Sequence, residues 1–175
     1  MGRIGRVERT TKETDIAIAI DLDGTGSTDV DTGIGFFDHM LTAFGRHGLF
    51  DLSVEVKGDL EVDGHHTVED VGLVLGSALG QALGGKEGLA RYGHALIPMD
   101  EALILCAVDL SGRSCLRLQA QIPTEKVGTF DTELVEEFFQ ALTREARMNL
   151  HLRQLDGTWG AYCLEGAQVV FKEVK

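Results

Sequence analysis

The chain has 175 residues, 43% of them hydrophobic, which suits one domain or two small, intimately packed halves and argues against disorder. Sixteen Lys and Arg against 28 Asp and Glu leave a formal charge of −12, which speaks against nonspecific nucleic-acid or anionic-membrane binding but leaves room for a small anion held by a few arginines. The three cysteines, Cys106, Cys115 and Cys163, form no CxxC pair, and no run reaches about 18 apolar residues, so a soluble cytoplasmic protein is expected.

Residues 5–21 read as a strand, with Ile16, Ile18 and Ile20 alternating with smaller residues and Glu13 in the polar lead-in. Asp23, Gly24, Gly26 and Ser27 make a turn, and a short strand or loop follows to Thr32. Phe36, Phe37, Met40, Leu41 and Phe44 then mark one side of a helix that carries His39 and ends at Gly45 or Gly48. Residues 51–59 alternate as a strand, with Leu52, Val54 and Val56 inward.

The stretch from Gly58 to Leu83, GDLEVDGHHTVEDVGLVLGSALGQAL, organises the chain. A loop rich in acids enters a helix whose apolar stripe is Val68, Val71, Leu75, Ala78 and Leu79. At the join, His65 and His66 stand four and three residues before Glu69, on one helix face. Two imidazoles and a carboxylate at a helix start are a candidate divalent-metal site. Read alone, an HHxxE stretch is as easily a chance match as a site.

From Lys86 the pattern begins again. A turn is expected at Pro98, and the apolar run from Ala102 to Leu110 fits a strand buried on both faces. Residues 130–148 form a helix capped by Asp131 or Thr132, with Leu134, Val135, Phe138, Phe139 and Leu142 inward. Residues 148–157 alternate as a strand carrying His151, which reads as structural; His94 reads as incidental. The chain is thus a duplicated α+β unit of strand, helix, strand and helix, with repeats over 1–85 and 86–175, in which His39 corresponds to Glu137.

Taken together, GIGFFDHML, VKGDLEVDGHHTVEDVG, RYG, PMDEAL, VDLSGR and FDTELVEEFF resemble the imidazoleglycerol-phosphate dehydratases of histidine biosynthesis, from about Arg6 to Gly157. The resemblance implies halves like the second domain of ribosomal protein S5, with sheets packed on helices. It implies a cage-like homo-oligomer of roughly 24 copies with sites between subunits. It also implies two Mn²⁺ ions per site and loss of water from a small phosphorylated imidazole diol. The family's metal ligands fall on His39, His65, His66 and Glu69. Glu137 stands where the family often has histidine, and carboxylate also suits Mn²⁺. Substrate contacts fall on Glu13, His39, His47, His65 and His66, and on Arg91 and Arg113, whose guanidinium forks suit a phosphate. Glu13 and Glu69 are the carboxylates placed for acid–base work.

One segment departs from the pattern. The family carries a second HHxxE after the last strand, but residues 158–165 read TWGAYCLE. Counting from the first half puts Ala161 and Tyr162 at the histidines and Glu165 at the carboxylate. Aligning on Phe171-Lys172 puts Leu164 and Glu165 at the histidines and Gln168 at the carboxylate. Three readings follow: an active dehydratase rescued by Glu137, Glu165, Tyr162 or Cys163; a catalytically impaired or non-enzymatic member that still assembles; or a reading-frame slip near codon 157. A phosphatase or hydrolase finds no nucleophile motif here.

Overall fold

The structure, a computed structural model, describes residues 2–157; Tyr162, Cys163 and Glu165, expected above as substitute ligands, lie outside the described residues. The elements are β1 (Ile4–Thr10), β2 (Thr14–Asp21), β3 (Thr28–Asp31), α1 (Gly35–Gly48), β4 (Asp51–Gly58), α2 (His65–Leu83), β5 (Tyr92–Met99), β6 (Ala102–Asp109), β7 (Cys115–Gln119), the short pair β8 (Lys126–Val127) and β9 (Phe130–Asp131), α3 (Leu134–Ala146) and β10 (Asn149–Asp156).

Two four-stranded sheets result, ordered β1-β2-β4-β3 and β5-β6-β10-β7. In both, the first three strands of the order are antiparallel and the last joins in parallel. The duplication holds residue by residue. Asp21 pairs with Asp51 as Asp109 pairs with Asn149, and Leu49 and Arg147 take the same left-handed conformation after α1 and α3. His39 and Glu137 are therefore equivalent.

The structure changes several details of the sequence reading. Residues 5–21 are two strands, because Thr11 folds the chain back: its hydroxyl accepts from the N–H groups of Glu13 and Thr14. The turn expected at Pro98 comes two residues later. Pro98 itself sits in the edge strand β5, where a missing N–H is tolerated. β6 alternates buried and half-buried residues rather than being covered on both faces. Gly45 lies inside α1, which continues to Gly48. Neither Asp131 nor Thr132 caps α3; Glu133 is the N-cap residue, and the Thr132 hydroxyl instead donates to the Thr124 carbonyl at 2.6 Å, tying down the strap that leads into β8.

All five residues of the predicted α2 stripe are buried, as is the predicted inward face of α3. The two helices run side by side in the same direction. A Cβ on Gly72 would lie 2.7 Å from the Phe138 carbonyl oxygen, and one on Gly76 would lie 2.6 Å from that of Leu142. Glycine every fourth residue lets the backbones touch, and this contact joins the halves. Around it Phe37 packs edge-on against Phe138 and stacks on Phe130.

Candidate functional site

The N-terminal ends of all three helices meet at one place. A Cβ on Gly64, just before α2, would lie 3.3 Å from Ile34 Cδ1 at the start of α1 and 3.4 Å from Leu134 Cδ1 at the start of α3. His65 and His66 open α2, His39 lies one turn into α1, and Glu137 lies at the first turn of α3. Four sequence-predicted metal ligands are thus brought to one end of the fold, a positively polarised one that favours carboxylates.

Local chemistry fixes each helix start. The Asp38 carboxylate reaches back to accept from the Thr32 N–H at 2.8 Å and hydroxyl at 2.6 Å, which sets the entry to α1. At α2, Asp63 accepts from the His65 N–H at 2.8 Å. Next to Glu69, the buried Asp70 accepts from Arg9 and, at 2.5 Å, from the Thr14 hydroxyl, so α2 is clamped to the β1–β2 hairpin that presents Glu13.

The two imidazoles do not converge on Glu69 as their spacing suggested. His65 Nε2 lies 3.8 Å from Glu69 Oε2, whereas His66 turns away, its ring 86° from that of His65, and places Nδ1 3.0 Å from Asp59 Oδ2. The Asp59 hydrogen bond raises the His66 pKa, with Glu13 and Asp63 adding to the attraction. Glu13 therefore belongs to this neighbourhood, and its carbonyl accepts from the Asp59 N–H at 3.0 Å. Arg144 of α3 reaches within 3.9 Å of Glu69. His39, His47 and Glu13 are exposed and Glu137 is half-buried, so all are open to a ligand from outside.

Arg91 and Arg113 gather elsewhere. Arg91 grips Asp109 through Nε at 2.7 Å and Nη2 at 3.2 Å, and Arg113 adds its charge, so the carboxyl of Asp109 is held below the usual range. Lys86 is beside them and donates to the carbonyls of Ala146 and Arg147 at 3.3 and 3.1 Å, closing the C-terminal end of α3. Burial lowers its pKa. This basic cluster is at the far end of α2 and α3 from the histidines. The 19 residues of α2 span roughly 28 Å at ~1.5 Å per residue, so the two groups cannot act on one small molecule within one chain. Among the described residues, no three His, Cys, Asp or Glu side chains lie close enough together to hold a metal ion. His151 and His94 are exposed on the outer face of the second sheet, on either side of Ala107.

The donor types fit a divalent cation: solvent-open imidazoles and the half-buried carboxylate of Glu69, with the Asp59 carboxylate behind the His66 ring, its Oδ1 buried and without a hydrogen-bond partner among the described residues. Asp59 and Asp70 escaped the sequence reading. A carboxylate seven residues before a histidine, across a loop, leaves no periodic signal.

The model of the imidazoleglycerol-phosphate dehydratase family matches residues 32–169. The chain belongs to that family. It is similar to the imidazoleglycerol-phosphate dehydratase of Lachnoclostridium phytofermentans, 56% identical over 94% of this chain and 84% of the relative. That of Gluconobacter oxydans is 54% identical over 99% and 88%. The crystal structure of the Staphylococcus aureus enzyme superposes with a TM-score of 0.84 at 39% identity, covering 98% of this chain and 95% of that one. The Pyrococcus furiosus protein, solved in complex with (S)-C348, gives 0.76 at 34% identity over 96% and 90%. The duplicated α+β fold and the hydro-lyase class follow from this membership, as does the link to histidine biosynthesis. No helix among the described residues is long and apolar enough to cross a membrane.

Proposed function

We propose that the chain dehydrates imidazole glycerol phosphate to imidazole acetol phosphate in the cytoplasm, in a Mn²⁺-dependent site completed between copies of this chain. The observation that carries this reading is the separation of the predicted ligands from the predicted phosphate-binding arginines within one chain of this family. A substrate with an imidazole at one end and a phosphate at the other needs both groups, and a second copy supplies whichever is missing.

His39, His65, His66, Glu69 and Glu137 would hold the metal, with Glu165 a further donor from the last segment. Bound there, Mn²⁺ supplies Lewis-acid stabilisation of charge developing on the imidazole ring. Arg91 and Arg113 hold the phosphate, which competes with Asp109 for the Arg91 guanidinium. Glu13, exposed and close enough to add to the attraction on His66, would take or return a proton at the diol. His47, exposed near the end of α1, is a further substrate contact. A proton next to an alcohol is scarcely acidic, so a lone carboxylate would not suffice without charge stabilisation on the ring.

Charge supports self-association, and a cage of roughly 24 copies meets the symmetry expected of a closed homo-oligomer. The outer face of the first sheet exposes Glu8, Asp15, Asp29, Asp31 and Glu55 against Arg6 and Lys57. The equivalent face of the second sheet exposes His94, His151, Arg117 and Arg153, flanked by Leu96 and Tyr92. Opposite charge on two faces of one chain favours copy-to-copy contact.

The test is turnover of imidazole glycerol phosphate by this 175-residue chain with Mn²⁺ and after chelation. Turnover lost on chelation and in His65→Ala is expected. A folded, assembled protein without turnover would overturn the reading and leave the impaired assembly-forming member.

A further inference from the structure

We propose that Asp59 is a positioning residue that holds His66 as its Nδ1–H tautomer, which frees the Nε2 lone pair to ligate a divalent cation. The proposal rests on the metal reading above. A carboxylate offers only acceptors, so at 3.0 Å from Asp59 Oδ2 the hydrogen must sit on His66 Nδ1. In the neutral ring the nitrogen that is not hydrogen-bonded is the unprotonated one, which is the form that binds metal.

The pair is built into the backbone. Asp59 donates its N–H to the Glu13 carbonyl at 3.0 Å, which fixes the residue at the end of β4. One residue earlier, a Cβ on Gly58 would lie 2.0 Å from Thr67 Oγ1, so strand end and first helical turn are in direct contact. The Asp59 side chain is 19% exposed and that of His66 48%, an arrangement that buries the acceptor and offers the ring outward. Among the described residues His65 has no such partner, with Glu69 beyond hydrogen-bond reach at 3.8 Å.

The internal duplication argues that folding does not require this carboxylate. Counting along the matched strands, the position equivalent to Asp59 in the second half is Gly157, and that half forms the same sheet without it. Asp59 is half-buried, and its buried, unpartnered Oδ1 is a cost to the fold that a ligand-orienting role explains.

Solid-state NMR of the metal-free full chain, labelled with ¹⁵N-histidine and kept at alkaline pH, reads the tautomer directly; the His66 signals are assigned by their loss in His66→Gln. The wild type is expected to show a protonated Nδ1 and a bare Nε2. In Asp59→Ala the fixed tautomer is expected to be lost. The Mn²⁺ dissociation constant should then rise ~10–100-fold while kcat at saturating Mn²⁺ stays close to wild type. A protonated Nε2 in the wild type overturns the proposal even where Asp59→Ala fails to fold. So does a lost tautomer with unchanged Mn²⁺ affinity. A wild-type chain that binds no Mn²⁺ while keeping the Nδ1–H tautomer overturns the metal reading and the ligation it assigns to His66, but not the Asp59-fixed tautomer.

Discussion

The two halves share strand order, register and core, yet equivalent positions carry different chemistry. Phe37, Met40, Leu41 and Phe44 of α1 have counterparts in Val135, Phe138, Phe139 and Leu142 of α3, all buried. Around that shared frame, His39 corresponds to Glu137, and Asp59 corresponds to Gly157. Arg3, bound to Asp23, stands where the second half has Arg91 bound to Asp109. The loop before the last strand of each sheet order is held by opposite polarity. Asp51 accepts from the N–H groups of Thr25, Gly26 and Ser27, while Asn149 at the same place donates to the Arg113 carbonyl at 2.5 Å. Duplication kept the apolar positions and let the polar ones diverge, leaving His39, His65 and His66 at one end and Arg91 and Arg113 at the other.

The largest effect should come from breaking the shared frame. Phe139→Ala is expected to cost about 3–5 kcal/mol and its counterpart Leu41→Ala about 2–5 kcal/mol in urea denaturation. Both should shift one transition, because the α2–α3 contact makes the halves a single unit. Two separated transitions would show that they unfold independently.

Next, Arg91→Ala should raise KM for imidazole glycerol phosphate roughly 10–100-fold, the loss of a charge-assisted contact of about 1.5–3 kcal/mol. Arg3→Ala, at the equivalent place, should leave KM unchanged. Steady-state kinetics on the two variants separates a functional guanidinium from a structural one.

Gly72→Ala should destabilise by about 1–3 kcal/mol, since the added methyl meets the Phe138 carbonyl at 2.7 Å. Gly80→Ala, whose methyl meets Glu145 O at 3.6 Å, should be neutral or stabilising by up to ~1 kcal/mol through helix propensity. Thermal melts of the pair test whether close helix contact, rather than glycine as such, joins the halves.

The smallest effect is in acid. Backbone N–H groups of Thr25 and Ser27 depress the Asp51 pKa, so its contribution is present above the ordinary carboxylate value and lost as pH falls through the lowered one. Melting temperature followed from about pH 5 to about pH 3 should fall less steeply in Asp51→Asn than in wild type.

Much of this was legible in the sequence where burial imposes a period. The α2 stripe and the α3 face are set by helical repeat, and the alternation of β4 and β10 by the pleat. What was illegible depends on contacts across space. One run of residues 5–21 became a hairpin through the Thr11 hydroxyl, and Thr132 was drawn from capping into tying down a strap. The glycines at 72, 76 and 80 carried a readable four-residue spacing, but its meaning required a partner helix. HHTVE announced donors, yet His66 is directed by Asp59, seven residues away through a loop, rather than by the Glu69 on its own helix.

The central claim is that imidazole-end and phosphate-end chemistry meet between copies of the chain. Mixing tests it most directly: a His65→Ala/His66→Ala chain and an Arg91→Ala/Arg113→Ala chain, each inactive alone, are dissociated, combined and reassembled. Recovered dehydration of imidazole glycerol phosphate is the predicted result, since some sites in the mixture receive intact groups from both parents. Hybrid assemblies that form but stay inactive would contradict it.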